Sequence, residues 1–178
     1  VADTERTQDV FNPATGGVSK QVALASKATV EEAINCAQAL GIEQPKVAIL
    51  AAVEKVKPSM QSTLDAAALC KMADRKQIKG GLLDGPLAFD NAISEEAARD
   101  KGIESEVSGD VDILLVPDLE SGNILAKQLQ YLAGAKSAGI VLGAKVPVIL
   151  TSRAAKPLER LSSCAVASLV AHKQGLTV

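Results

Sequence analysis

"KVAILAAV", residues 46–53, is apolar at every position after its opening lysine. A strand with one wet face alternates apolar and polar residues. A run without alternation fits a strand covered on both faces, as in a parallel sheet. Helical patterns flank it. Upstream, "TVEEAINCAQALG" (29–41) opens with the Thr29…Glu32 spacing of a capping box. Val30, Ala33, Ile34, Ala37 and Leu40 then share one face, and Gly41 is placed to close the helix in a left-handed turn. Downstream, "STLDAAALCKMADR" (62–75) reads as a helix capped by Ser62 or Thr63.

The alternation continues to the end. "GGLLDG" (80–85) fits a short buried strand ending at Asp84, and "SEEAARDKGI" (94–103) a helix capped by Ser94 and closed at Gly102. "VDILLVPD" (111–118) is another apolar run, and "SGNILAKQLQYLAGA" (121–135) predicts a helix ending at Gly134. "AGIVLG" (138–143) and "VPVILTS" (146–152) are two further runs. "KPLERLSSCAVASLVAHKQG" (156–175) is a last helix with Pro157 in its first turn. The expectation is an α/β fold, a layered and mostly parallel sheet with helices on both faces. Residues 1–28 differ: a turn cluster at Asn12, Pro13, Thr15, Gly16 and Gly17 precedes a strand at about 18–25, with no helix.

The 178 residues suit one domain, and 47% hydrophobic content supplies a core. Aromatics are only 2%, so that core is aliphatic. No apolar run reaches the roughly 18 residues of a membrane span. The first residues lack the basic start and apolar stretch of a signal peptide, so the expectation is a cytoplasmic protein. A formal charge of −2 argues against general nucleic-acid binding. Cys36, Cys70 and Cys164 form no CxxC pair and sit in alanine-rich helical contexts, which reads as buried thiols rather than a metal site. A single histidine, His172, gives no basis for a zinc site or a Ser-His-Asp triad.

In open α/β sheets ligands collect beyond the carboxyl ends of the strands. Three such ends carry polar, turn-forming residues: Asp84-Gly85-Pro86 with Asp90-Asn91, Asp118 leading to Ser121-Gly122-Asn123, and Thr151-Ser152-Arg153. Gly122 and Asn123 at a helix start read either as an anion seat or as a plain cap by Ser121. Arg153 reads as a bidentate phosphate binder or a surface arginine. Glu159 reads as a general base or a favourable first-turn acid. Neither a GxGxxG turn nor a P-loop is present, and "GIVLGAK" has the wrong spacing.

"TLDAAALCKMADR" (63–75), "GGLLDGPLAFDNAISEEAA" (80–98), "DILLVPDLESGNILAKQL" (112–129) and "VPVILTSRAAKPLERLSSCAVA" (146–167) resemble the C-terminal half of phosphate acetyl/butyryltransferases. The resemblance runs from about Ala39 to His172. It implies the reaction acyl-CoA plus phosphate to acyl phosphate plus CoA. The implied fold is of the isocitrate/isopropylmalate-dehydrogenase kind, usually homodimeric. Coenzyme A, acyl-CoA and phosphate are then substrates, with no permanently bound cofactor, metal, nucleic acid or membrane partner. It implies substrate binding by Asp84, Gly85, Pro86, Asp90 and Asn91, to which the strand-end pattern adds Asp118, Gly122 and Asn123. It implies that Ser152 and Arg153 handle the CoA sulfur and phosphate charge, with Glu159 where relatives carry an aspartate as base for the thiol.

Two departures accompany it. Many relatives read Ser-Arg-Ala-Asp-Ser where this chain has Ala154-Ala155-Lys156 after Ser152-Arg153, and Glu159 sets its carboxylate one methylene further out. The family's N-terminal domain forms the other wall of the cleft. Here residues 1–28 stand in its place and resemble the start of a methylmalonate-semialdehyde-type aldehyde dehydrogenase, leaving 29–178 as the acyltransferase-like domain. The alternative to an active transferase is therefore a non-catalytic, dimerising domain with weak CoA or phosphate binding.

Overall fold

A computed structural model describes the backbone of residues 7–11 and 18–23 and all of residues 26–176. Two strands, β1 (Thr7–Phe11) and β2 (Val18–Ala23), pair antiparallel with a register shift between Val10 and Phe11. The expected turn at 12–17 lies outside the described residues. Helix α1 (Lys27–Ala39) then leads to β3 (Lys46–Leu50), α2 (Gln61–Asp74) and β4 (Leu82–Leu87). Two short helices follow, α3 (Phe89–Ile93) and α4 (Glu95–Asp100), then β5 (Ile113–Leu115) and α5 (Leu119–Tyr131). The chain finishes with β6 (Ile140–Val141), β7 (Val148–Ile149) and α6 (Pro157–Lys173).

β3, the run quoted above, is the middle strand of a parallel sheet ordered β4-β3-β5. Its side chains alternate between two apolar layers. Val47 and Ile49 pack with Val30 and Ile34 of α1 and Ala66 and Leu69 of α2. Ala48 and Leu50 point the other way, to Leu87, Ala92 and Val107, with Leu125 of α5 against them. Both faces are covered, which is why β3 needs no polar alternation.

Helix starts are displaced from the sequence reading. α1 begins at Lys27 with Ser26 as N-cap, and the Thr29 hydroxyl accepts from the Ser26 N–H at 3.2 Å. Thr29 is thus the third residue of the helix rather than its cap. Its end is as expected: Gly41 takes φ +97°, and the Ile42 and Gly41 N–H groups donate to the Ala37 and Gln38 carbonyls, leaving Leu40 outside the core. α2 is not capped by Ser62 or Thr63. Thr63 lies in the first turn and is fully buried, accepting from the Lys57 N–H at 2.9 Å and donating to the Met60 carbonyl at 2.8 Å. That hydroxyl pins the segment after β3. Thr63→Val keeps the shape but strands the Lys57 N–H, so urea denaturation should show a loss of about 1–2 kcal/mol. An unchanged midpoint would mean the segment is not held there.

The expectation of a mostly parallel sheet holds for three strands only. β6 and β7 pair with each other, antiparallel, in a separate two-stranded sheet against α6. An apolar run specifies burial, not direction. This end of the molecule is also less covered: Leu119 is 73% and Leu161 68% exposed, and α5 has no buried residue. The cysteines lie on helices as expected, but Cys164 is exposed and Cys36 and Cys70 are half-buried. No helix among the described residues is long and apolar enough to cross a membrane.

Candidate functional site

Because β4, β3 and β5 run parallel, their carboxyl ends share one edge. Three segments meet there: residues 51–60 after β3, α3 after β4, and the start of α5 after β5.

The first expected strand end is moved. β4 continues through Gly85-Pro86 to Leu87, so Asp84, Gly85 and Pro86 lie within the strand, not beyond it. Asp84 is in register with Ala48, Leu87 with Leu50, and the register slips between them. Proline usually ends a strand, but β4 is an edge strand with an irregularity, where it is tolerated. The Asp84 carboxylate accepts from the Gly85 N–H at 2.8 Å. The Gly85 carbonyl accepts from the Cys70 thiol at 3.6 Å, and burial, with Asp84 and Asp74 adding to it, pushes that thiol up to about 12, so it stays protonated.

Asp90 and Asn91 stand at the edge itself, on α3. Asp90 is exposed, and its carboxylate accepts from the Lys101 ammonium at 2.7 Å, a hydrogen bond that holds it below the usual carboxylate range. Lys101 also lies 3.9 Å from the Glu54 carboxylate in the segment after β3. Neither Lys101 nor Glu54 stood out in the sequence, since no spacing rule links a lysine to an acid eleven residues earlier across two short helices. Asn91 is 0% exposed, and among the described residues neither polar atom of its amide has a hydrogen-bond partner. An unpaired buried amide costs about 1–3 kcal/mol. Asn91→Leu is therefore expected to raise stability by about that amount in urea denaturation. A loss instead would show that the amide is satisfied in solution.

At the second strand end the helix starts earlier than expected. The N-cap is Asp118, whose carboxylate accepts from the Ser121 N–H at 2.7 Å and the Ser121 hydroxyl at 2.8 Å. These bonds hold Asp118 below its ordinary value. Ser121 is not the cap. The Gly122 N–H donates to the Asp118 carbonyl at 3.1 Å, so it is not free for an anion, and Asn123 lies further into the helix. The expected seat at Gly122 and Asn123 is thus displaced toward Asp118, whose own charge already answers the helix terminus.

Ser152, Arg153 and Glu159 lie on the other sheet's side, after β7 and at the start of α6. The Ser152 hydroxyl accepts from the Ala154 N–H at 3.3 Å, shaping a tight turn. Arg153 is exposed, and among the described residues no hydrogen bond or ion pair holds its guanidinium. Glu159 is committed elsewhere. One oxygen accepts from the Lys156 N–H at 2.7 Å, the other from Gln130 at 2.7 Å and Ser137 at 3.4 Å. The Lys156 N–H first, then Gln130, hold it below the ordinary glutamate value, the opposite of what a base requires. It behaves as the first-turn acid of the two readings, tying the end of α5 to the start of α6. Among the described residues no hydrogen bond or ion pair joins these three to the Asp84–Asp118 edge. A cavity of about 340 Å3 lined by Glu32, Cys36, Gly143 and Lys173 among others opens between α1 and the end of α6, away from both groups.

Comparison with known proteins adds the chemistry that geometry leaves open. The model for phosphate acetyl/butaryl transferase matches residues 20–168. A phosphate acetyltransferase of Rhizobium meliloti is 58% identical over 150 residues, covering 84% of this chain and 48% of that protein. A phosphate butyryltransferase of Clostridium acetobutylicum is 52% identical over 142 residues, covering 80% and 47%. Among solved structures, a branched-chain phosphotransacylase from Enterococcus faecalis V583 superposes with a TM-score of 0.72 at 37% identity, covering 84% of this chain and 55% of that one. The chain spans about half the length of these relatives. Since the match runs unbroken through both groups of residues, the strand edge and the Ser152-Arg153 turn, the chain belongs to the phosphate acetyl/butyryltransferase family.

Proposed function

We propose that the chain carries the CoA- and phosphate-handling surface of a phosphate acyltransferase, converting acyl-CoA and phosphate to acyl phosphate and CoA. The observation that carries this is Arg153: an exposed guanidinium with no hydrogen-bond or ion-pair partner among the described residues, beside a hydroxyl, inside the family match. A phosphate oxygen attacks the thioester carbonyl, the C–S bond breaks, and CoA leaves as a thiolate. Charge grows on the carbonyl oxygen and then on sulfur, and Arg153, a cation without a partner among the described residues, is suited to offset it. A base is needed only in the reverse direction, to deprotonate the thiol. Glu159, with its acceptor sites filled, is better assigned to holding α6 than to that task. Asp84, Gly85, Asp90 and the Asp118–Asn123 start of α5 form a second substrate surface in this reading, with the buried Pro86 and Asn91 supporting it from beneath.

An isocitrate/isopropylmalate-dehydrogenase-like fold, CoA and phosphate as substrates with no resident cofactor, a cytoplasmic setting and a homodimer belong to the same proposal. The dimer is supported by Leu119, Ile124, Leu158, Leu161 and Ile149, an amount of exposed apolar surface that suits contact with a second copy. The likeness of residues 1–28 to an aldehyde dehydrogenase opening stays a reading of sequence. The family match overlaps the end of that segment from residue 20.

That no hydrogen bond or ion pair joins the two residue groups among the described residues supports a second reading, a domain that binds CoA or phosphate weakly without turnover, since half a constellation loses its positioning. The test is thiol release from acetyl-CoA and butyryl-CoA with and without phosphate, alongside calorimetric titration with CoA. Phosphate-dependent release supports the transferase. Binding without release supports the second reading, and neither would overturn both.

A further inference from the structure

Lys101 closes α4 as its C-cap, yet its side chain reaches back across α3. The ammonium sits 2.7 Å from the Asp90 carboxylate and 3.9 Å from that of Glu54. These acids belong to different crossovers. Glu54 follows the central strand and Asp90 follows the edge strand, so one cation ties neighbouring segments of the sheet's carboxyl edge. Glu54 is the most covered member at 25% exposure, against 38% for Lys101 and 54% for Asp90. Held in this way, Asp90 loses freedom at the position from which the edge faces ligand. With Lys101 in place the two carboxylates carry a net charge of only −1, whereas without it the group would carry −2 and repel an anionic ligand more strongly.

Resting on the acyltransferase reading above, we infer that Lys101 is a positioning residue for substrate: it neutralises Asp90 and fixes it against Glu54, so that the edge accepts the phosphate-bearing CoA. It acts through Asp90 rather than by touching the ligand. The mutual shifts agree, Asp90 being held down and Lys101 up by their shared hydrogen bond. Exposed ion pairs contribute little to folding. Loss of Lys101 should therefore leave the melting temperature nearly unchanged while binding falls, a separation that a purely structural role does not produce.

The experiment is calorimetric titration of the whole chain with CoA for the wild type, Lys101→Met, Lys101→Arg, Asp90→Asn and the Lys101→Met/Asp90→Asn double variant, each with a thermal melt. Lys101→Met is expected to weaken CoA binding about tenfold, Lys101→Arg to restore most of it, and the double variant to be no worse than the poorer single one. Additive losses would mean that Lys101 touches CoA itself and would overturn the inference. So would unchanged affinity in Lys101→Met, or a weakening accompanied by an equal loss of melting temperature in both Lys101 variants. No CoA binding by the wild type would defeat the acyltransferase reading and this inference with it. Wild-type binding that ignores Lys101 defeats only the inference.

Discussion

Arg153→Ala is expected, on the proposed transferase reading, to cut phosphate-dependent acyl transfer by about two to three orders of magnitude, the usual effect of removing one group that stabilises transition-state charge. The side chain is exposed and makes no internal hydrogen bond or ion pair among the described residues, so stability should move by less than about 0.5 kcal/mol. Lysine is a poor replacement, because a compact ammonium cannot make the paired contacts of a planar guanidinium. Arg153→Lys should therefore recover only part of the rate. The measurement is turnover over a range of phosphate concentrations, with a melt on each variant. A wild-type rate in Arg153→Ala would remove this residue from the mechanism and shift attention to the strand edge and Ser152.

Gly85→Ala should strongly destabilise the parallel-sheet half. A Cβ at Gly85 would lie 2.8 Å from the Ile49 carbonyl oxygen, 2.8 Å from the Ile49 Cβ and 3.3 Å from the Ala66 Cβ. The first of these is backbone in the central strand and cannot rotate away. Overpacking of this kind costs about 3 kcal/mol. For a chain of this size that is a fall of roughly 10 °C in melting temperature. Calorimetry on Gly85→Ala against Gly85→Ser would check it, both being expected to fall together. A change under about 1 kcal/mol would mean that β4 lies further from β3 than described.

The quoted run at 46–53 revealed its own place because burial on two faces leaves a direct mark on composition. Helices were legible for the same reason, through Val30, Ile34 and Ala37, or Ala66 and Leu69, recurring at helical spacing. Their starts were less legible. At both Ser26/Thr29 and Asp118/Ser121 two polar residues three apart compete for the cap, and the earlier one wins in each case. Gly85-Pro86 looked like punctuation, and only its edge position allows it to stay in the strand. The direction of β7 relative to β6 left no trace in either run.

The candidate site divides similarly. Asp90, Asn91 and Arg153 drew attention as polar residues following apolar runs and through the family resemblance, and their roles belong to the proposed function. The consumption of Glu159 by Gln130 and the Lys156 N–H was not, because Gln130 comes from another helix. Lys101 was invisible for the same reason: its meaning lies in which crossovers the sheet order makes adjacent.

That strand order also has a temporal consequence. The middle strand is synthesised first, and its neighbours arrive much later: Lys46 pairs opposite Leu82, and Val47 opposite Ile113. Both flanks of β3 stay open while the intervening chain is made, and long loop closures must be paid before either pairing rewards them. Refolding should begin locally, with α1 and α2 gathering on one face of β3, and should be slowest in docking β5. A nascent chain stopped before residue 113 would present an apolar strand with an unpaired edge, the kind of surface that aggregates or recruits a chaperone.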